Sequence, residues 1–344
     1  MSKIISSLAL ALMILLLGTG CSTETSISNV VEYEDFQKEF KLKSEVEEWL
    51  DLWECSDLRI YGKILVAIDF KRERIFHVYN LETKKLIGSF GRFGNGPNEY
   101  SRAPKFTSVY SYEGIDLIIQ IYDHNRKTLQ NINLTKSIED GYVSETSKIK
   151  FPDISATYSF MLNDSMVFDR DSSILLIRNP LTGELTYNHE AVHLPQSLPE
   201  KHEKIARYMY LEKAPNIATI VSSFNIIKRL HIYNTKGELL KVIKEPGEHI
   251  FNTGKRDIYE NNLIHFTRTF LSEKYILVLN QNRIIGEGTS GELLLFDYEG
   301  NALCKYELDC YIYFGGVDWE SKRFYTQDIV GGSMVSFALP GIAD

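Results

Sequence analysis

The sequence predicts an all-β chain folded as a six-bladed β-propeller with four-stranded blades. A strand–turn–strand pattern recurs at a period of about 50 residues, which is the spacing of a propeller blade. Aromatic residues make up 12% of the chain, with 20 Tyr and 18 Phe, a composition that suits pleated, half-buried surfaces. No long amphipathic helix interrupts the series. Short strands with regular turn signals and little helix leave sandwich, barrel or propeller, and the period selects the last.

Each repeat is one hairpin. Four copies are clear, at Arg74–Gly91, Ile174–His189, Lys228–Gly247 and Glu292–Asp309. Their centres, such as Val78-Tyr79-Asn80 and Ile232-Tyr233-Asn234, run from an apolar strand into an Asn or Asp turn and out into a second strand. Weaker copies lie at Ile115–Ser137 and Tyr311–Leu339. Divided this way, the blades begin near Cys55, Lys105, Ile154, Ala206, Leu263 and Tyr311. The sixth ends after its third strand, Ser333–Leu339. The N-terminal segment Tyr33–Lys43, with its alternating Glu39-Phe40-Lys41-Leu42, is expected to supply the missing outer strand and close the ring. Closure removes the exposed edges on which sheets aggregate. The helical candidates are Ser44–Leu52 and Pro199–Tyr208.

Ahead of the repeats, Met1-Ser2-Lys3, an apolar run from Ile4 to Leu17 and small residues before Cys21 describe a secretory signal. A spanning helix would need about 20 apolar residues. The junction Leu17-Gly18-Thr19-Gly20-Cys21 resembles the lipobox of bacterial lipoproteins, with the leucine one place early. The resemblance implies lipidation of the Cys21 thiol; the competing reading is an ordinary cleaved signal followed by an incidental cysteine. The expected organisation is a lipoprotein signal peptide over 1–20, a flexible tether over 21–32 and the propeller over 33–344. This places the protein in the cell envelope, lipid-anchored to a membrane, with the outer membrane expected and the ring facing the periplasm or the surface.

The chain carries 38 basic and 46 acidic residues, net −8, and residues 1–20 hold a single charge, Lys3, so the remainder stands near −9. That disfavours the phosphate neutralisation on which nucleic-acid binding rests, and attachment to anionic lipid through a basic patch. Besides Cys21 there are Cys55, Cys304 and Cys310, an odd number that implies no disulfide framework. A Cys304–Cys310 bridge and buried free thiols are the two readings, the second favoured. No Cys/His spacing suggests structural zinc.

The stretch Ile87–Phe106 contains Phe90-Gly91, Gly94, Gly96-Pro97 and Glu99-Tyr100. This loop resembles the interblade loop of NHL-type and TolB-like six-bladed propellers, lipoproteins of the kind common in Bacteroidetes. The resemblance implies a six-bladed ring and a binding role, and it carries no agreed activity.

Four features are candidates for chemistry. His189-Glu190-Ala191-Val192-His193 satisfies HExxH, which on a helix would place two zinc ligands and a general base on one face. It falls instead where an outer strand is expected, with Pro195 close behind. Residues four apart on a strand are separated by about 13 Å, too far to share a metal, so a coincidental strand is favoured and no metal site is expected. The Gly91–Gly96 loop has glycines for positive φ, with Arg92 and Glu99 expected to pair; Arg92, Asn95, Asn98 and Glu99 are the residues it would offer a ligand. Asp69-x-x-Arg72 and Asp123-x-x-Arg126 recur after the second strand of a blade, echoed by Asn280-x-x-Arg283. Either they ring the channel as a polar ligand site, or each Asp bonds its own turn with the Arg across it; the second reading is favoured. Finally, Asn280–Gly291 is a long glycine-bearing hairpin, and long loops on a rigid scaffold are disproportionately functional.

The function these features support is a membrane-anchored binding or scaffold propeller recognising a peptide, protein or glycan in the envelope, without cofactor and as a monomer. A channel-centred hydrolase or lyase is the alternative, the zinc protease its weakest variant. A binding module should carry aromatics and mixed charge on one face, whereas an enzyme should show convergent His, Asp or Glu at the channel mouth.

Overall fold

Runs such as Leu65-Val66-Ala67-Ile68 and Leu293-Leu294-Leu295-Phe296 are apolar at every position, so a strand made of them must be covered on both faces. In the computed structural model both runs lie in strands and are buried throughout. Sheets packed face to face around an axis provide that cover. The structure describes residues 29–343 apart from 97, 151–155, 163–164, 171–173, 180–181, 183, 191–197, 248–261 and 285–289.

The described strands form a β-propeller: six sheets of four or five strands, with a two-stranded pairing of Arg92–Phe93 and Glu99–Tyr100 between the first two. In chain order the sheets cover 55–90, 105–150, 156–190, 209–244, 264–308 and 316–338, each antiparallel strand beside the one before it. The first strands face the axis, the second and third are buried on both sides, and the fourth strands are half in water, as the exposed Lys85, Leu86 and Ile87 of Lys85–Phe90 show. Apolar clusters fill the seams between neighbouring sheets. Ile68, Phe76 and Val66 pack with Phe106, Ile119 and Ile121 between the first and second. Leu58, Leu65 and Tyr79 pack with Phe314, Tyr325 and Met334, so the last sheet lies on the first. Each such side chain contributes about 1.5–3 kcal/mol.

A second device ties the seams. Gln120, Gln281 and Gln327 sit on second strands, each at most 5% exposed, and each reaches the following sheet. The Gln120 carboxamide oxygen accepts from Met161 N at 2.8 Å, and Gln281 Nε2 donates to Ile312 O at 2.7 Å. Gln327 accepts from Cys55 N at 3.2 Å and donates to Trp53 O at 3.2 Å, joining the last sheet to the first. Buried amides are affordable only when so paired.

The N-terminal segment behaves differently from the expectation. It straps the outer rims of three successive sheets. Val30–Glu32 adds parallel to Leu239–Lys244 of the fourth sheet, and Lys38–Leu42 adds parallel to Ala302–Leu308 of the fifth, where Phe40 stacks on Tyr306 at 5.7 Å. Ser44 N then donates to the Asp309 carboxylate at 3.1 Å, carrying the chain across to the sixth sheet. There Glu45–Val46 pairs antiparallel with Val335 and Ser336 as its fourth strand. The strand on the sixth sheet is therefore Glu45–Val46, not Tyr33–Lys43. The helix read at Ser44–Leu52 is absent for the same reason. Its Glu45 and Val46 join a ladder, and Glu47 is buried under hydrogen bonds from Ser336 Oγ and the Trp49 indole.

Two short helices are described. Glu200–Ala206 follows Pro199, within the Pro199–Tyr208 candidate. Leu134–Asp140 overlaps the end of the weak hairpin copy read at Ile115–Ser137; Asn133 caps it by accepting from Lys136 N, and Gly141 ends it at φ +71°. Cys55, Cys304 and Cys310 are free thiols. No helix among the described residues is long and apolar enough to cross a membrane.

Candidate functional site

Because strands alternate in direction, the turns joining first to second and third to fourth strands share one end of the ring, the hairpin end. The turns joining second to third strands, and the loops between sheets, share the other, the loop end. Residues at each end come from all around the circle, so both are candidate sites.

At the loop end the Asp-x-x-Arg recurrences are turn frames. Asp69, fully buried, accepts from Trp53 N at 2.7 Å and Lys71 N at 2.8 Å. Asp123 accepts from Asn125 N at 3.0 Å and Arg126 N at 3.1 Å. Asp328, in the sixth sheet, does the same for Val330 N at 3.0 Å. The arginines lie across these turns. Arg72 is 2.6 Å from the Asp51 carboxylate and 4.9 Å from the Trp53 ring, and Arg126 Nη2 donates to Gly96 O at 2.7 Å. Arg283 is buried, 4.4 Å and 5.0 Å from the Tyr311 and Tyr313 rings, with Nε donating to Gln281. Asp69 with Arg72 and Asp123 with Arg126 thus brace their own turns at the loop end, whereas Asn280 Nδ2 donates to Glu292 at 2.8 Å and is not part of an Arg283 pair.

The glycine loop lies beside them. Glu99 folds back so that its carboxylate accepts from Gly96 N at 2.9 Å and occupies the space where side chains on Gly94 and Gly96 would stand. Arg92 pairs with Glu73 at 2.8 Å instead of with Glu99, because Glu99 is already committed to its own loop. Asn95 and Asn98 are exposed at its tip.

Among polar neighbours, the loop end also shows four large apolar side chains to solvent. Trp53 is 66% exposed, Phe70 41%, Tyr313 46% and Val330 83%. The loops that carry them are tied to their neighbours: Gln327 Nε2 donates to Trp53 O at 3.2 Å, Ile329 N donates to Tyr311 O at 2.9 Å, and Phe70 stacks on Phe93 at 5.5 Å. None of Trp53, Phe70, Tyr313 or Val330 was singled out from sequence. Each sits singly in a turn, and only their shared end of the ring makes them a patch.

At the hairpin end a cavity of about 260 Å³ opens on the axis. Its floor is an ion pair between Arg59 of the first sheet and Glu212 of the fourth, on opposite sides of the ring, with side chains 13% and 6% exposed. Burial pushes the Glu212 carboxyl up, and the Arg59 guanidinium pulls it partly back. Lys213 is lowered by burial, and its Nζ donates to Ala214 O at 2.8 Å. Tyr61, Tyr110, Phe270 and Trp319 form the wall, with Tyr61 and Tyr110 in edge contact at 5.3 Å. Glu273, Asp318 and Glu320 stand on the turns that make the rim. Sequence reading missed this set, since Arg59 and Glu212 are 153 residues apart. The signal available was charged residues within the axial strands Cys55–Tyr61 and Met209–Lys213, Arg59 in one and Glu212 in the other.

The HExxH segment begins on a strand, Leu185–Glu190, with His189 opposite Leu175; His193 lies outside the described residues. His189 and Glu190 therefore stand on a strand and not on a helix. Asn280–Arg283 ends the strand Tyr275–Arg283, and 285–289 of that hairpin lie outside the described residues, as do Cys21 and the rest of 1–28.

A family model for TolB-like 6-blade propeller-like proteins matches residues 35–320. No curated relative matches the chain. Among solved structures, a Bacteroides fragilis protein described as exported superposes with TM-score 0.55 at 11% identity, covering 87% of this chain and 98% of that one. A DUF4221 family member from Bacteroides vulgatus superposes with TM-score 0.54 at 9% identity, covering 87% and 97%. At such identities the likeness is one of fold.

Proposed function

The chain belongs to the TolB-like 6-blade propeller-like family, and we propose that it is a binding propeller of the cell envelope whose loop end recognises a peptide, protein or glycan. One observation carries this reading: Trp53, Phe70, Tyr313 and Val330 are exposed at one end of the ring, and the turns of Trp53, Phe70 and Val330 are braced by the Asp69 and Asp328 carboxylates. Exposed apolar groups on a stiff frame are what a docking face needs, because little ordering entropy is then lost on binding. Arg72, Arg92, Asn95, Asn98 and Arg126, on the same end, supply the polar surround, with Glu99 and the buried Arg283 holding the loops beneath. The six sheets are read as six blades, closed by Glu45–Val46; the packing of the last sheet on the first supports this. A hydrolase or lyase at the axis has less support, since the one buried carboxylate there, Glu212, is engaged by Arg59.

Lipidation at Cys21 gives this face an orientation. Asn29 O accepts from Val242 N at 3.0 Å and its side chain donates to Leu240 O at 3.2 Å. The chain therefore joins the fourth sheet beside its third turn, at the hairpin end. Residues 22–29 extend at most about 28 Å at 3.5 Å each, so the hairpin end stays near the membrane and the loop end faces away. The test is photo-crosslinking in intact cells from positions 53 and 330 against position 216. Capture of one partner from the first two and not from 216 is expected; equal capture from both ends would overturn the reading.

A further inference from the structure

The axial cavity at the hairpin end plays no part in partner binding at the loop end, and its chemistry is specific. Five of the six sheets line it. At about 30 Å³ per water-sized group, 260 Å³ holds roughly nine such groups, which is a side chain or a small metabolite and not a chain segment. The lining carries four carboxylates, Glu212, Glu273, Asp318 and Glu320, against two cations, Arg59 and Lys213. Both cations are engaged within the protein, Arg59 by Glu212 and Lys213 by Ala214 O. Among the described residues the rim carboxylates take hydrogen bonds from dipoles: Glu273 from Asn216 Nδ2 at 2.8 Å, and Asp318 from the Glu320 and Ser321 backbone at 3.1 and 3.3 Å and from Ser321 Oγ at 2.6 Å. Such bonds leave the negative charge in place. Lys63, which feels the Glu320 and Asp318 charges, is itself paired with Glu82. Between rim and floor stand aromatic rings, whose faces attract cations.

We propose that this cavity binds a compact ligand through an ammonium or guanidinium group, held between the Glu273 and Asp318 carboxylates and against the Trp319 and Tyr110 rings. An anion is disfavoured by the rim, and a neutral apolar group would strip water from three carboxylates without replacing it. The source of the cation is either a free amine or a basic side chain of a partner, and the two share this chemistry.

The test is calorimetric titration of the chain lacking residues 1–28, all of which lie before the first described strand, with cadaverine, Nα-acetyl-lysinamide and Nα-acetyl-norleucinamide. Saturable binding of either cation, and none of the norleucine compound, is expected. Affinity should fall at least tenfold in the double variant D318N/E273Q, which keeps the shape and the hydrogen bonds, and should weaken as salt rises from 0.05 to 0.5 M, as rim charges are screened. Binding by cadaverine alone points to a small amine, and binding by the lysinamide alone to a partner's lysine; both support the site. Equal binding of the norleucine compound, no binding of any probe, or unchanged affinity in D318N/E273Q would overturn it. Urea melts of the variant establish that it folds, and W53S, altered only at the loop end, should bind the cations as the parent does.

Discussion

The two ends of the ring use charge in opposite ways. At the loop end, charged residues recur from sheet to sheet and are spent locally: Asp69 and Asp123 accept backbone N–H groups of their own turns, and Arg72 and Arg126 close over them. Beside them the exposed Trp53, Phe70, Tyr313 and Val330 remain for a partner. At the hairpin end no charged motif recurs, yet Arg59 and Glu212 meet across the axis beneath a rim richer in carboxylates than in cations. Recurrence in a repeat protein thus marks what every blade needs to hold its turn, and the binding chemistry sits in residues that break the repeat.

The comparison is broken most strongly at the axis. Glu212→Ala leaves the Arg59 charge buried and unpaired, and a loss of about 3–5 kcal/mol in urea unfolding is expected. The double variant R59M/E212L should recover most of it, because an apolar pair of similar volume avoids desolvating two ions. A double variant as unstable as the single one would mean that the pair contributes more than the desolvation it costs. At the loop end, Gln327→Leu removes the acceptor of Cys55 N and the donors to Trp53 O and Gly332 O. A loss of about 1–3 kcal/mol follows from the groups left unsatisfied, with proteolysis beginning near residues 29–52 as the seam between last and first sheets loosens.

A smaller effect concerns His77, whose ring bonds Arg74 O at 2.8 Å and Ser89 Oγ at 3.0 Å at the loop end. Burial lowers its pKa below the ordinary histidine value, against the raising effect of the Arg74 carbonyl. The unfolded chain therefore takes up the proton first. The stabilisation is complete above about pH 6.5 and is lost as pH falls through the lowered value. The urea midpoint should drop between pH 7.5 and 5.5, and drop less in His77→Gln. The smallest stability change is expected for Trp53→Ser, within about 0.5 kcal/mol for an exposed side chain, while crosslinking to a partner from position 330 is lost. A Trp53→Ser variant that still captures the partner would move the binding face elsewhere.

The blades were legible because each is local. Val78-Tyr79-Asn80 and Ile232-Tyr233-Asn234 announce a hairpin within a few residues, and strands begin at Cys55 and Lys105 where the period places them. The glycine loop was legible as a loop, but not that Glu99 would turn inward and leave Arg92 to Glu73. The N-terminal strap was half legible. Alternation in Glu39-Phe40-Lys41-Leu42 marks an edge strand without saying which edge, and Phe40 found Tyr306 of the fifth sheet. Helix Leu134–Asp140 was hidden because its cap, Asn133, also ends a strand in register with Ile118.

The sequence by itself determined the class of fold, the length of each blade and the turn chemistry of Asp69 and Asp123, since these follow from contacts between residues near in the chain. Only the tertiary structure decided the candidate sites. Arg59 and Glu212 become a pair, Trp53 and Val330 become one face, and Glu45–Val46 becomes the sixth sheet's last strand because a ring brings together residues that the chain holds far apart, and nothing in a linear pattern encodes which of them will meet.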